Sequence, residues 1–183
     1  MLLRALLAVL VFTLSGVVGG AQQNSNLALL KRDTQIFERI VQEVLKQNFK
    51  NPFAITAEPR GAYLQGFGVI VSFEININRA KIRTPFGELN APKSVAERTK
   101  AEQIRTVRES MKQCLADYGQ TIKQLGPHDR IAVQAHIVDR NELDPAKSTT
   151  VMVLTCTKDN LNLLATGKLP VEKFKEQVHV LEY

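Results

Sequence analysis

Two cysteines, three histidines and one run of alternating basic residues carry most of the chemistry available to this 183-residue chain. Cys114 lies on an apolar helical stripe and Cys156 near the end of a strand-like segment, so packing of the two elements would bring the thiols close. A disulfide there would close a loop of about 40 residues and stabilise by roughly 4 kcal/mol in the chain-entropy account. The other reading is two separate buried thiols acting as small apolar groups. Cys114 has no neighbouring base and no CxxC pair exists, which argues against thiol catalysis.

His136 and His179 fall on expected strands that pairing could bring together, while His128 lies in a turn. A metal needs three or four directed ligands, and HExxH, HxH and paired CxxC spacings are all missing. Asp139, Glu142 and Asp144 share one loop without EF-hand spacing and read as a solvated turn. Gly66-Phe67-Gly68 begins like a dinucleotide fingerprint, but Val71 replaces the third glycine and the segment enters a strand. No helix N-terminus is then available for a pyrophosphate. The GxSxG elbow, SxxK pair and Walker lysine are absent too. The expectation is therefore no catalytic, cofactor-binding or metal-binding residue and no cofactor.

Arg79, Lys81, Arg83 and Lys93, opposed by Glu88 alone, give residues 78–93 a charge of +3. This is the segment expected to contact an anionic partner. With only Phe86 as an interleaved aromatic, nucleic acid is not the expected partner. An envelope protein or an anionic surface is.

These groups are positioned by a chain in two compositional parts. Arg4 precedes the apolar run Ala5–Leu14, Ser15-Gly16 breaks it, and Gly19-Gly20-Ala21 supplies the small residues of a cleavage site. That is the layout of a secretory signal over residues 1–21, cut near Ala21. Spanning a bilayer takes roughly 20 unbroken apolar residues, so an uncleaved anchor is the lesser alternative. Residues 22–183 would form one exported domain, periplasmic or secreted, touching membrane only through an uncleaved signal. In that part about 41% of residues are hydrophobic and the net charge is +5, against 44% and +6 for the whole. Such values exclude collagen, polar disorder and a multi-span membrane protein.

Ile36, Phe37, Ile40, Val41, Val44, Leu45 and Phe49 repeat with helical period after Asp33 or Thr34, either of which could cap the helix; Leu27, Leu29 and Leu30 could extend it backwards. Val69 to Ile77 alternates as a half-buried strand, preceded by a glycine-rich turn. Ser94-Val95-Ala96-Glu97 reads as a capping box opening a long helix, with Ile104, Val107, Met111, Cys114, Leu115, Tyr118, Ile122 and Leu125 on one stripe. Strands are expected over 130–139 and 149–157, and in the second Val151 and Val153 compete with Met152, Leu154 and Cys156 for the core. Thr157 or Asp159 would cap a short helix closed by Gly167. A helical turn at 170–174 and a strand at 177–183 follow.

From Val69 onward the order is strand, helix, strand, strand, helix, strand. This is the ferredoxin-like βαββαβ plan, an α+β two-layer sandwich, here with an extra N-terminal helix and hairpin. A roadblock- or profilin-like α/β/α arrangement is the alternative.

Two short stretches, Ala62-Tyr63-Leu64-Gln65-Gly66-Phe67-Gly68-Val69 and Lys158-Asp159-Asn160-Leu161 through Phe174, resemble a loosely defined group of uncharacterised exported bacterial proteins. The resemblance implies a bacterial exported domain and brings no site residues with it. The expectation is a non-catalytic binding or scaffolding module of the cell envelope. The alternative is a small-ligand binder or an enzyme whose site assembles only in three dimensions, with Arg60, Tyr63, Glu74 and His136 as its first suspects.

Overall fold

Alternation in the sequence becomes a sheet with one apolar side. The structure, a computed structural model, describes residues 26–48, 54–77, 83–84, 87–88, 93–139 and 148–183. Helix α1 covers 26–48 and is followed by strands β1 (Ala54–Leu64) and β2 (Gly68–Asn76). A two-residue pair, β3 (Arg83–Thr84) with β4 (Gly87–Glu88), precedes helix α2 (Lys93–Tyr118). Then come β5 (Arg130–Val138), β6 (Thr149–Thr157), α3 (Lys158–Ala165), α4 (Val171–Gln177) and β7 (His179–Glu182).

The main sheet has five strands in the order β1-β2-β5-β6-β7, with β2 and β5 parallel and every other pair antiparallel. The α+β class and the added N-terminal helix and hairpin agree with the sequence reading. The strand order is not the ferredoxin one, in which β6 would lie between β2 and β5. The physical reason is β1. Folded back by the tight turn at Gln65-Gly66-Phe67, it occupies one side of β2 and leaves β5 the other. Its strand character is hard to read in sequence, because Pro59 and Gly61 interrupt it and two register shifts fall between Ile55 and Arg60.

Register places Gly61, Val71, Val133, Leu154 and Val180 in one row across the sheet. This side meets the helices: Leu30, Phe37, Val41 and Leu45 of α1, Val107, Met111 and Leu115 of α2, Leu161 of α3 and Phe174 of α4 share its apolar core. The competition within β6 is resolved, with Met152, Leu154 and Cys156 facing inward. All described helices lie on one side, so the described residues do not form the α/β/α alternative.

Helix boundaries also depart from the sequence reading. Asp33 and Thr34 are not caps; α1 runs through them and both are buried on its inner stripe. Helix α2 starts at Lys93, one residue before the expected cap Ser94. It stops at Tyr118, well short of Leu125, and Tyr118 is exposed. Just beyond the stop, a Cβ at Gly119 would stand 2.9 Å from both methyls of Leu161, so glycine there lets α3 pack closely. The chain turns through a short 3-10 segment, where the Thr121 hydroxyl donates to the Tyr118 carbonyl at 2.8 Å. Thr157 caps α3 as expected, accepting from the N–H of Asn160 at 3.2 Å.

Candidate functional site

The other side of the sheet is covered by no described helix. It presents Ile70, Ser72 and Glu74 from β2, Gln134 and His136 from β5, and Val151, Val153 and Thr155 from β6, all half-buried. At the β7 margin it continues into Leu181, 50% exposed, and Tyr183, 69% exposed. A sheet face normally alternates polar against its core side. Here β-branched and aromatic groups persist on the outer side, which is why β6 carried apolar residues in both phases.

Two of the four suspects from sequence are brought together. Glu74 and His136 are register partners on the parallel strands β2 and β5, and the Thr56 hydroxyl donates to Glu74 Oε1 at 2.6 Å. Arg60 shares their side of the sheet but lies in the row of Ser72 and Gln134, with its guanidinium 4.0 Å from Glu58 and largely in water. Tyr63 is turned to the opposite side. His136 and His179 do not meet, because β6 separates their strands and the two pair with Val151 and Thr155 respectively.

Tyr63 instead lines a half-open cleft of about 190 Å³ between α1 and β1, with Leu27, Lys31 and Gln35. The backbone N–H of Gly61 donates to Glu38 Oε1 at 2.7 Å, tying the edge strand to the helix. A Cβ at Gly61 would lie 2.4 Å from Thr34 Cγ2, so glycine sets how closely α1 approaches the sheet.

A polar cluster that sequence reasoning missed lies under the helices. Lys158 is 4% exposed, and its ammonium donates to Gln120 Oε1 at 2.9 Å. Burial pushes its pKa down, while Cys156 and Asp33 act in the opposite direction. Asp33 pairs with Arg32 at 2.9 Å. Burial alone would raise its carboxyl, but Arg32, Gln124 and the Lys123 backbone together hold it below the usual carboxylate value. The second carboxylate oxygen, Oδ2, is buried without a well-formed hydrogen bond. The available signal was Asp33's place on an otherwise apolar stripe (Leu30, Phe37, Val41).

Cys114 and Cys156 are both buried in the common core and stand as free thiols. Burial pushes each up to about 12. Of the basic residues, Arg79 and Lys81 lie outside the described residues, as do the leader 1–21, Phe49, Glu142 and Asp144. Arg83 opens β3 and Lys93 opens α2. Among the described residues no group of three or more His, Cys, Asp or Glu could hold a metal, and no helix is long and apolar enough to cross a membrane. Compared with known proteins, the chain matches no family model, no curated protein and no solved structure.

Proposed function

We propose that this protein is an exported, non-catalytic binding module of the cell envelope whose uncovered sheet face takes a partner protein. One observation carries this reading: the outer face holds Ile70, Val151, Val153, Leu181 and Tyr183 among polar residues, with no described element packed on it. Apolar groups gathered on one open surface mark an interaction site more often than chance exposure. The basic residues Arg79, Lys81, Arg83 and Lys93 favour an acidic partner or surface. The leader-like residues 1–21 favour export, to the periplasm or outside the cell.

Capture from native envelope extract tests the proposal with four baits. Wild type should retain a partner that the outer-face variants Ile70→Arg and Gln134→Arg lose. Arg39→Glu, on the exposed side of α1, should retain it. Loss through Arg39→Glu with both outer-face variants still binding would overturn the proposal.

An enzyme or ligand-binding role rests on one specific arrangement, the adjacent Glu74 and His136 with Thr56 bonded to the carboxylate. It is the weaker reading, because no described element encloses the pair and excludes water around it.

A further inference from the structure

The two margins of the sheet are treated differently. On β1, Pro59 lacks an N–H, register shifts distort the ladder, and Glu38 caps the N–H of Gly61. These are the devices by which proteins protect a strand edge from further pairing. The β7 margin has none of them: residues 179–182 contain no proline, lysine or bulge, and they carry Leu181 at 50% exposure.

The direction of the free groups follows from one bonded pair. Val151 and Tyr183 exchange both backbone bonds, at 2.7 and 3.0 Å. Alternation along an antiparallel ladder then turns the N–H and C=O of Leu181 and His179 toward β6, and those of Val180 and Glu182 outward. Among the described residues nothing pairs with this outward row.

We infer that β7 pairs antiparallel with β7 of a second copy, about a two-fold axis through Leu181. In that register Val180 and Glu182 of one copy exchange backbone bonds with Glu182 and Val180 of the other. Leu181 meets its own equivalent on the uncovered face, and His179 lies beside Tyr183 of the second copy.

Charge on the helix side fits the same occupant. Arg108 of α2 pairs with Glu182. Lys112, one turn further along the same side of α2, is 18% exposed at its side chain and stands 3.7 Å from the exposed Glu109 carboxylate. Helix α2 links the parallel strands β2 and β5 and so runs against them, while β7 is parallel to β5. One turn from Arg108 to Lys112 therefore matches the two-residue step from Glu182 back to Val180. That is the position where Glu182 of the second copy arrives, giving two symmetric Lys112–Glu182 attractions across the axis. The result is one continuous sheet through both copies, joining their open faces.

The contact is short, so the association is weak, with a Kd on the order of 100 µM. The inference rests on the free edge alone and does not depend on the outer face having another partner. Sedimentation of the chain without residues 1–21, from about 1 µM to about 1 mM, should show monomer passing to dimer. Backbone hydrogen exchange should show the Val180 and Glu182 amides gaining roughly fivefold protection across that range, with Leu181 and Tyr183 protected throughout. Leu181→Lys sets two like charges at the axis, and Val180→Pro removes an outward N–H without touching the β6 ladder; each should leave a monomer. A monomer at every concentration would overturn the inference. So would a dimer whose Val180 and Glu182 amides stay unprotected, which also decides the matter if a variant fails to fold.

Discussion

Glu38 on α1 accepts the backbone N–H of Gly61 on β1 at 2.7 Å, so a side chain of the first helix stands where a further strand would otherwise pair. Replacing it leaves a partly buried donor without its partner. Glu38→Ala should cost about 1–2 kcal/mol in urea unfolding. Glu38→Gln, which can still accept the bond, should cost less than half of that. Equal losses in the two variants would show that the carboxylate acts through something other than this bond.

Gly66 lies in the turn between β1 and β2 and Gly68 opens β2, both with positive φ, at 80° and 126°, but they differ in what surrounds them. A Cβ at Gly66 meets nothing within 4 Å, whereas one at Gly68 would lie 2.0 Å from the carbonyl oxygen of Arg130. Gly66→Ala should therefore cost only the left-handed backbone penalty of about 1–2 kcal/mol. Gly68→Ala should cost about 3 kcal/mol or more, since it also forces β2 away from β5. Denaturation midpoints of the two variants compare them directly, and equal midpoints would refute the close approach.

Burial raises both thiols to about 12, so neither ionises appreciably near neutrality. Cys114 and Cys156 should resist iodoacetamide at pH 8 in the folded protein and both react once it is unfolded without reductant. Finding no free thiol after unfolding would show the two to be bridged.

Lys158 and Asp33 give opposite ends of the pH–stability curve. Burial lowers the folded pKa of Lys158 below 10.5, so between that lower value and 10.5 the unfolded chain holds the extra proton. Stability should rise with pH across this window, and Lys158→Met should abolish the rise. Asp33 is held below 3.8 in the folded state, so its contribution is present above 3.8 and lost as acid carries the pH down through the lowered value. Asp33→Asn should remove that acid-side loss. Urea midpoints measured against pH read both effects.

Most elements were legible because their periodicity is local. Val69, Val71, Phe73 and Ile75 repeat every second residue and did form the inner face of β2. Thr157 and Gly167 marked the two ends of α3, and Gly167 has the positive φ of 71° suited to a helix C-terminus. Strand order was not legible, because it depends on whether residues 54–64 pair with β2, and Pro59 and Gly61 weaken that signal. The pairing of Glu74 with His136 was equally hidden. It arises from a parallel register set by the whole β2–α2–β5 unit, not by any short motif. The outer face left a trace that alternation alone could not interpret: β6 is apolar in both phases, with Met152, Leu154 and Cys156 on the core side and Val151 and Val153 on the side no described helix covers.

The parallel β2–β5 ladder begins at Gly68 and Arg130, far apart along the chain, while β1–β2 and β5–β6 are hairpins between neighbours. Folding therefore divides into fast local steps and one slow closure, since the entropy of bringing distant segments together is lost before their bonds form. Until that closure, the β2 edge facing β5 is bare along Val-Ile-Val-Ser-Phe-Glu-Ile, an uninterrupted β-prone stretch holding a single charge. The vulnerable species for aggregation is thus the half-assembled chain with two unjoined hairpins, and a helix α2 that forms early would shorten its lifetime.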